Sequence, residues 1–128
     1  MKITDFTNKL YAELLEELEL YADLGALPLW MSVLKYNIKY FRHGLLSLGL
    51  NIGDTRSAIF PVRTGDKIRN AQICQALLQK GIYANQINYP AVSLKDARIR
   101  MGVTALHNRT HLDEALNVWV SIKKEFNL

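Results

Sequence analysis

The sequence predicts an α+β domain: a small antiparallel sheet of about three strands with helices packed on one face. Three observations carry this expectation. Long stretches repeat their apolar residues every three or four positions, the period of a helix with one buried face. Shorter runs rich in β-branched residues are bounded by glycine and proline. The last two of these runs are separated by a loop of about eight residues, a length that joins antiparallel neighbours and is too short for a helical crossover.

Taken in order, residues 5–21 read as an amphipathic helix with Leu10, Leu14 and Leu18 on one stripe and most glutamates opposite. Residues 22–28 are the least structured stretch, broken by Gly25 and Pro28. A second helix is expected from Leu29 to Leu48, with Trp30, Val33, Leu34, Ile38, Phe41, Leu45 and Leu48 inward and Gly49 as its stop. Residues 57–63 form a strand in which Pro61 cannot donate to a ladder, so an edge position or a bulge is implied. Asp66 caps a third helix that runs to about Lys80, with Gly81 ending it. Strands follow at Ile82–Asn88 and Ala97–Val103. Thr110 and Asp113 have the spacing of a capping box for a last helix, whose apolar stripe is Leu112, Leu116, Trp119, Ile122 and Phe126. No repeat or flexible linker divides the chain, and residues 1–128 are expected to form one domain.

With 128 residues, 49% of them hydrophobic, the chain can bury a real core. No apolar run approaches the roughly 20 residues of a membrane helix, and the first residues lack a signal-peptide core, so a cytoplasmic location is expected. The single Cys74 rules out an internal disulfide and is expected to be a small buried hydrophobe. The net charge of +4 is uneven: residues 1–23 hold two lysines and six acids, whereas residues 24–128 hold 14 basic and six acidic residues. That surplus would attract an anion. Because the basic residues are dispersed, a small anionic ligand is expected rather than a nucleic-acid backbone.

The alternation of the third strand places Arg98 and Arg100 on one face and Ile99 and Met101 on the other. Two neighbouring guanidinium groups can grip a carboxylate through paired planar hydrogen bonds; two solvated arginines on an open sheet face fit the same spacing. His107 and His111 are four apart, but the helix start between them places them on different elements. That arrangement argues against a shared metal, and His107 is expected to bond backbone, with His43 on the surface. Ser32 and Lys35 spell S-x-x-K inside an amphipathic helix, where the spacing is accidental. Tyr36, Tyr40 and Tyr83 among Lys35, Lys39 and Lys80 imitate an aromatic-basic surface for single strands.

Longer motifs sharpen the reading. Gly81-Ile82 leads to Tyr89-Pro90-Ala91-Val92, and then Ala97-Arg98-Ile99-Arg100 leads through small residues to His107. Upstream stand Ala58-Ile59-Phe60-Pro61-Val62 and Asn37-Ile38-Lys39-Tyr40-Phe41-Arg42-His43-Gly44-Leu45. In order and spacing, residues 29–128 resemble the C-terminal small domain of the α-oxoamine synthases, a family of pyridoxal-phosphate enzymes. The resemblance implies the small domain of a fold-type I enzyme and an activity that joins an amino acid to an acyl thioester. It also implies that Arg100 binds the amino-acid carboxylate, that Arg98 is a neighbouring basic position, and that Tyr89, Pro90 and Val92 border the substrate entrance. Asn88, arginine in some members, and Ser93, in place of a common proline, depart from the pattern.

The family's cofactor lysine lies in a Ser/Thr-rich segment beside paired glycines, in a large domain, and this chain has no Gly-Gly pair. The resemblance therefore implies no catalytic or cofactor-binding residue here, and no pyridoxal phosphate bound to this chain alone. Glu13-Leu14-Leu15-Glu16-Glu17-Leu18 resembles the family's N-terminal helix, which packs on the small domain. The chain is thus expected to join the N-terminal and C-terminal parts of a longer enzyme; a contiguous C-terminal fragment is the alternative. The complete enzyme would be a homodimer. An independent ligand-binding module and a nucleic-acid binder are the competing readings.

Overall fold

The computed structural model describes residues 29–128; the expected helix over 5–21 and the stretch 22–28 lie outside the described residues. The elements are α1 (Leu29–Ser47), β1 (Ile59–Gly65), α2 (Lys67–Gln79), β2 (Asn85–Ile87), β3 (Ala97–Gly102) and α3 (Arg109–Phe126). The strands form one antiparallel sheet in the order β1-β3-β2. The α+β architecture expected from the sequence is the one observed.

Pro61 sits on β1, an edge strand, where its missing N–H costs no ladder bond, and β1 also carries a bulge between Arg63 and Gly65. The three strands differ in extent from the sequence expectation. β1 starts later, because the Thr55 and Ser57 hydroxyls bond the Ile59 carbonyl and hold the approach as a turn. β2 starts at Asn85 because Gly81 and Ile82 finish α2 instead: their N–H groups bond Leu78 and Leu77 carbonyls at 3.0 and 2.9 Å. Gly81, with φ of 90°, supplies the left-handed residue this closure requires. β3 ends at Gly102, although the Val103 N–H still reaches the Ala58 carbonyl at 2.9 Å.

The core lies between the sheet and the helices. Phe60, Val62, Ile99 and Met101 enter it from the sheet, Ile73 and Leu77 from α2, and Leu112, Leu116, Trp119 and Ile122 from α3. The indole N–H of Trp119 meets the Met101 sulfur at 3.0 Å, joining α3 to β3. Asp66 caps α2 as expected, its carboxylate accepting the Arg69 N–H at 2.8 Å.

Other expectations are corrected. α3 is capped by Asn108 rather than Thr110: Asn108 accepts the His111 N–H, and the His111 ring accepts the Asn108 N–H, so an imidazole takes the reciprocal place that Asp113 was expected to fill. On α1 the buried face is Tyr36, Asn37, Tyr40, Phe41 and Leu45, while Trp30 is 60% exposed and Val33, Leu34, Ile38 and Leu48 are only half-buried. The face is rotated because polar groups find partners inside. The Asn37 amide donates to the carbonyls of Thr104 and His107, and the Tyr40 hydroxyl donates to Asp113. Burial of Tyr36 and Tyr40 also removes them from any stacking surface for single strands. Cys74 is half-buried rather than buried, with its thiol 3.2 Å from the Ala84 carbonyl.

Candidate functional site

β3 is the central strand, and its residues alternate between core and open face: Ala97, Ile99 and Met101 are buried, Arg98 is half-buried and Arg100 is exposed. The two arginines therefore share the open face of the sheet, as their spacing predicts. Register fixes their neighbours. Arg100 lies between Pro61 on β1 and Asn85 on β2, and Arg98 lies between Arg63 and Ile87.

The two differ in how they are held. Arg98 Nε donates to the Asp96 carbonyl at 3.0 Å, which ties that side chain to its own strand entrance. Arg100 has no side-chain hydrogen bond or ion pair among the described residues. Tyr89 and Pro90 follow β2 two residues past the Arg98 rung, joined by a cis peptide bond. They stand at the Arg98 end of the face, away from Arg100, with Tyr89 exposed. No hydrogen bond among the described residues joins Tyr89 to either arginine.

What places this loop is a residue that sequence reasoning missed. Asn70, fully buried on α2, donates its amide to the Asn88 side chain at 2.8 Å and to the Arg98 carbonyl at 3.1 Å. Its own oxygen accepts the Thr64 hydroxyl at 2.9 Å. One side chain thus links β1, β3 and the start of the Tyr89–Pro90 loop. The only signal in the sequence was an asparagine at the helical spacing of Ile73 and Leu77.

A second concavity, about 510 Å³, opens where β3 runs into α3 and includes Met101, Val103, His107, His111 and Lys80 in its lining. The His107 and His111 rings meet edge to face with centroids 5.9 Å apart. Each Nδ1 accepts a backbone N–H, from Thr104 at 3.0 Å and from Asn108 at 3.1 Å. His107 is therefore bonded to backbone, as expected, and His43 is exposed, as expected. Because a backbone N–H can only donate, both neutral rings carry their proton on Nε2. Burial, and His111 beside it, hold His107 below the ordinary imidazole range.

A pyridoxal-phosphate site needs a lysine whose amine can form a Schiff base with the cofactor's aldehyde. The described lysines, Lys35, Lys39, Lys67, Lys80, Lys95, Lys123 and Lys124, lie on helices and loops, and none stands on the open face with Arg98 and Arg100. The described residues do not by themselves fit that cofactor.

The class of protein follows from this fold and its arginine face together with a family match. Residues 6–118 match the family described as aminotransferase class I and II. The chain belongs to that family, on its α-oxoamine synthase branch, as the motifs around Arg98 and Arg100 led one to expect. It is 37% identical over 92 residues to the 8-amino-7-oxononanoate synthase of Symbiobacterium thermophilum, covering 72% of this chain and 24% of that enzyme. The synthase of the same name from Exiguobacterium sibiricum is 39% identical over 92 residues, with the same coverage. Among solved structures, serine palmitoyltransferase from S. paucimobilis, with a bound PLP–myriocin aldimine, superposes with a TM-score of 0.69 at 26% identity, covering 74% of this chain and 24% of that one. The chain spans about a quarter of the length of the relatives it matches.

Proposed function

We propose that this chain is the small domain of a pyridoxal-phosphate-dependent acyltransferase that condenses an amino acid with an acyl thioester, and that Arg100 binds the amino-acid carboxylate. The observation that carries the reading is Arg100 itself: an exposed guanidinium on the central strand, beside Arg98, with no partner among the described residues. Such a group can take a carboxylate through two parallel N–H···O bonds. Arg98, its Nε tied to the Asp96 carbonyl, is held beside Arg100 and adds positive charge to the face. Tyr89 and Pro90, placed by Asn70 through Asn88, border the approach. Pyridoxal phosphate serves as an electron sink where it is bound, and its lysine comes from the remainder of the enzyme. In this reading the complete enzyme is a cytoplasmic homodimer whose large domain covers the open face of the sheet.

Kinetics of the complete enzyme test the assignment. Arg100→Ala removes a charge-assisted contact of about 1.5–3 kcal/mol, so the half-saturating amino-acid concentration rises by about 10- to 150-fold. The melting temperature hardly moves, since an exposed side chain contributes roughly 0.5 kcal/mol or less to stability. Arg100→Lys recovers only part of the loss, because an ammonium cannot make the planar two-point contact. An unchanged amino-acid dependence, or a variant that unfolds while its surviving fraction binds normally, would make Arg100 structural.

A further inference from the structure

Arg63 stands directly across the ladder from Arg98, on the same open face as Arg100. Opposed residues in an antiparallel pair have Cα atoms about 4.5–5.5 Å apart, and like charges placed there repel and destabilise the pair. Three guanidinium groups thus occupy two neighbouring rungs of one sheet face. Among the described residues their one acidic neighbour is Asp96, whose carboxylate reaches Arg63 Nη1 at 4.0 Å with both side chains about half-exposed. An ion pair that long and that wet contributes little. The face therefore carries a surplus of positive charge larger than a single carboxylate needs.

We infer that Arg63 and Arg98 form a second anion-binding position beside Arg100, so that the site takes a small molecule bearing two anionic groups. This rests on the reading of Arg100 as the carboxylate residue and extends it to the ligand's other end. One carboxylate occupies one guanidinium fork. With Arg100 engaged, the Arg63–Arg98 pair still faces the site, and an anion between them relieves their mutual repulsion. Residues two apart on a strand are separated by about 6.6 Å, and the rung spacing is about 5 Å. The two anionic groups accordingly lie about 5–7 Å apart, the span of a short dicarboxylate. Sequence reading singled out Arg98 and Arg100 because they share a strand; Arg63 joins them only through the register of β1 with β3.

The test uses the 128-residue chain labelled with nitrogen-15, following the arginine Nε–H signals while glutarate or butyrate is added at fixed ionic strength. Glutarate is expected to shift Arg63, Arg98 and Arg100 together and to bind roughly tenfold more tightly than butyrate, about 1.4 kcal/mol. Arg63→Gln is expected to erase that difference while leaving butyrate binding at Arg100 intact; the side chain is exposed, so the variant folds, and an unchanged melting temperature verifies this. If glutarate and butyrate bind equally and move Arg100 alone, the second position does not exist and the carboxylate reading of Arg100 stands. If glutarate moves Arg63 and Arg98 but leaves Arg100 still, the second position stands and the carboxylate reading falls. If neither ligand moves any of the three, both are overturned.

Discussion

His107 and His111 show how much can hang on single atoms. Each Nδ1 accepts a backbone N–H, one closing the turn before α3 and the other completing its cap. A proton on Nδ1 would set donor against donor. His107 is held below the ordinary imidazole value of 6.5 by burial and by His111. Around the same cleft Lys80 opposes a further positive charge and Glu114 favours one. The unfolded chain then takes up protons more readily than the folded one. Stability is full above about pH 6.5 and declines as the pH falls from there toward the lowered folded value. Thermal melts between pH 7 and 5 are expected to show a steeper fall in Tm for the native chain than for His107→Asn, whose amide oxygen keeps the acceptor without titrating. Parallel curves would mean that this bond has no role in acid sensitivity. The sequence made it legible that His107 would bond backbone, but the His111 cap was missed, because Thr110 and Asp113 offered the more familiar pattern.

At the scale of elements, α1 and α3 meet at Gly44. A Cβ built there would lie 2.5 Å from Leu116 Cδ1 and 3.1 Å from its Cγ, so this glycine is required by close approach. Gly44→Ala gains about 1 kcal/mol of helix propensity but overpacks a buried leucine, at a cost of about 1–3 kcal/mol. The net expectation is a loss of about 1 kcal/mol in denaturant unfolding. Combining it with Leu116→Ala should cost less than the two single changes added, because the second makes room for the first. Simple additivity would show that the helices shift apart freely. Asn70 is the corresponding polar join between α2 and the sheet. Asn70→Ala removes the donor to the Arg98 carbonyl and to Asn88 and the acceptor of the Thr64 hydroxyl at once, and a loss of about 2–4 kcal/mol is expected, measured by the same unfolding. Neither join could be read beforehand. A glycine or asparagine inside an amphipathic helix has the same local pattern whether it faces solvent or a neighbour, and only the packing decides. The helices themselves and the antiparallel pairing of β2 with β3 were legible, because apolar period and loop length act locally. The rotated face of α1 was not, since it depends on partners for Asn37 and Tyr40 about 70 residues away.

At the scale of the whole molecule, the arginines and lysines of the described residues are set apart. The described residues present arginines on an open sheet face and place no lysine beside them, and the chain spans about a quarter of its relatives' length. Family membership was legible because the runs Asn37–Leu45, Ala58–Val62, Gly81–Val92 and Ala97–His107 resemble the family's motifs in order and spacing; the part played by Arg63 was not, because only the β1–β3 register brings it to the face. The central claim, that this chain supplies substrate-binding arginines but not the cofactor's lysine, is tested most directly by incubating the purified chain with pyridoxal phosphate, reducing with borohydride and mapping the adduct by mass spectrometry. The account predicts only scattered, substoichiometric labelling of surface lysines, no greater than in the denatured chain. A stoichiometric adduct on one lysine, formed only by the folded chain, would contradict it.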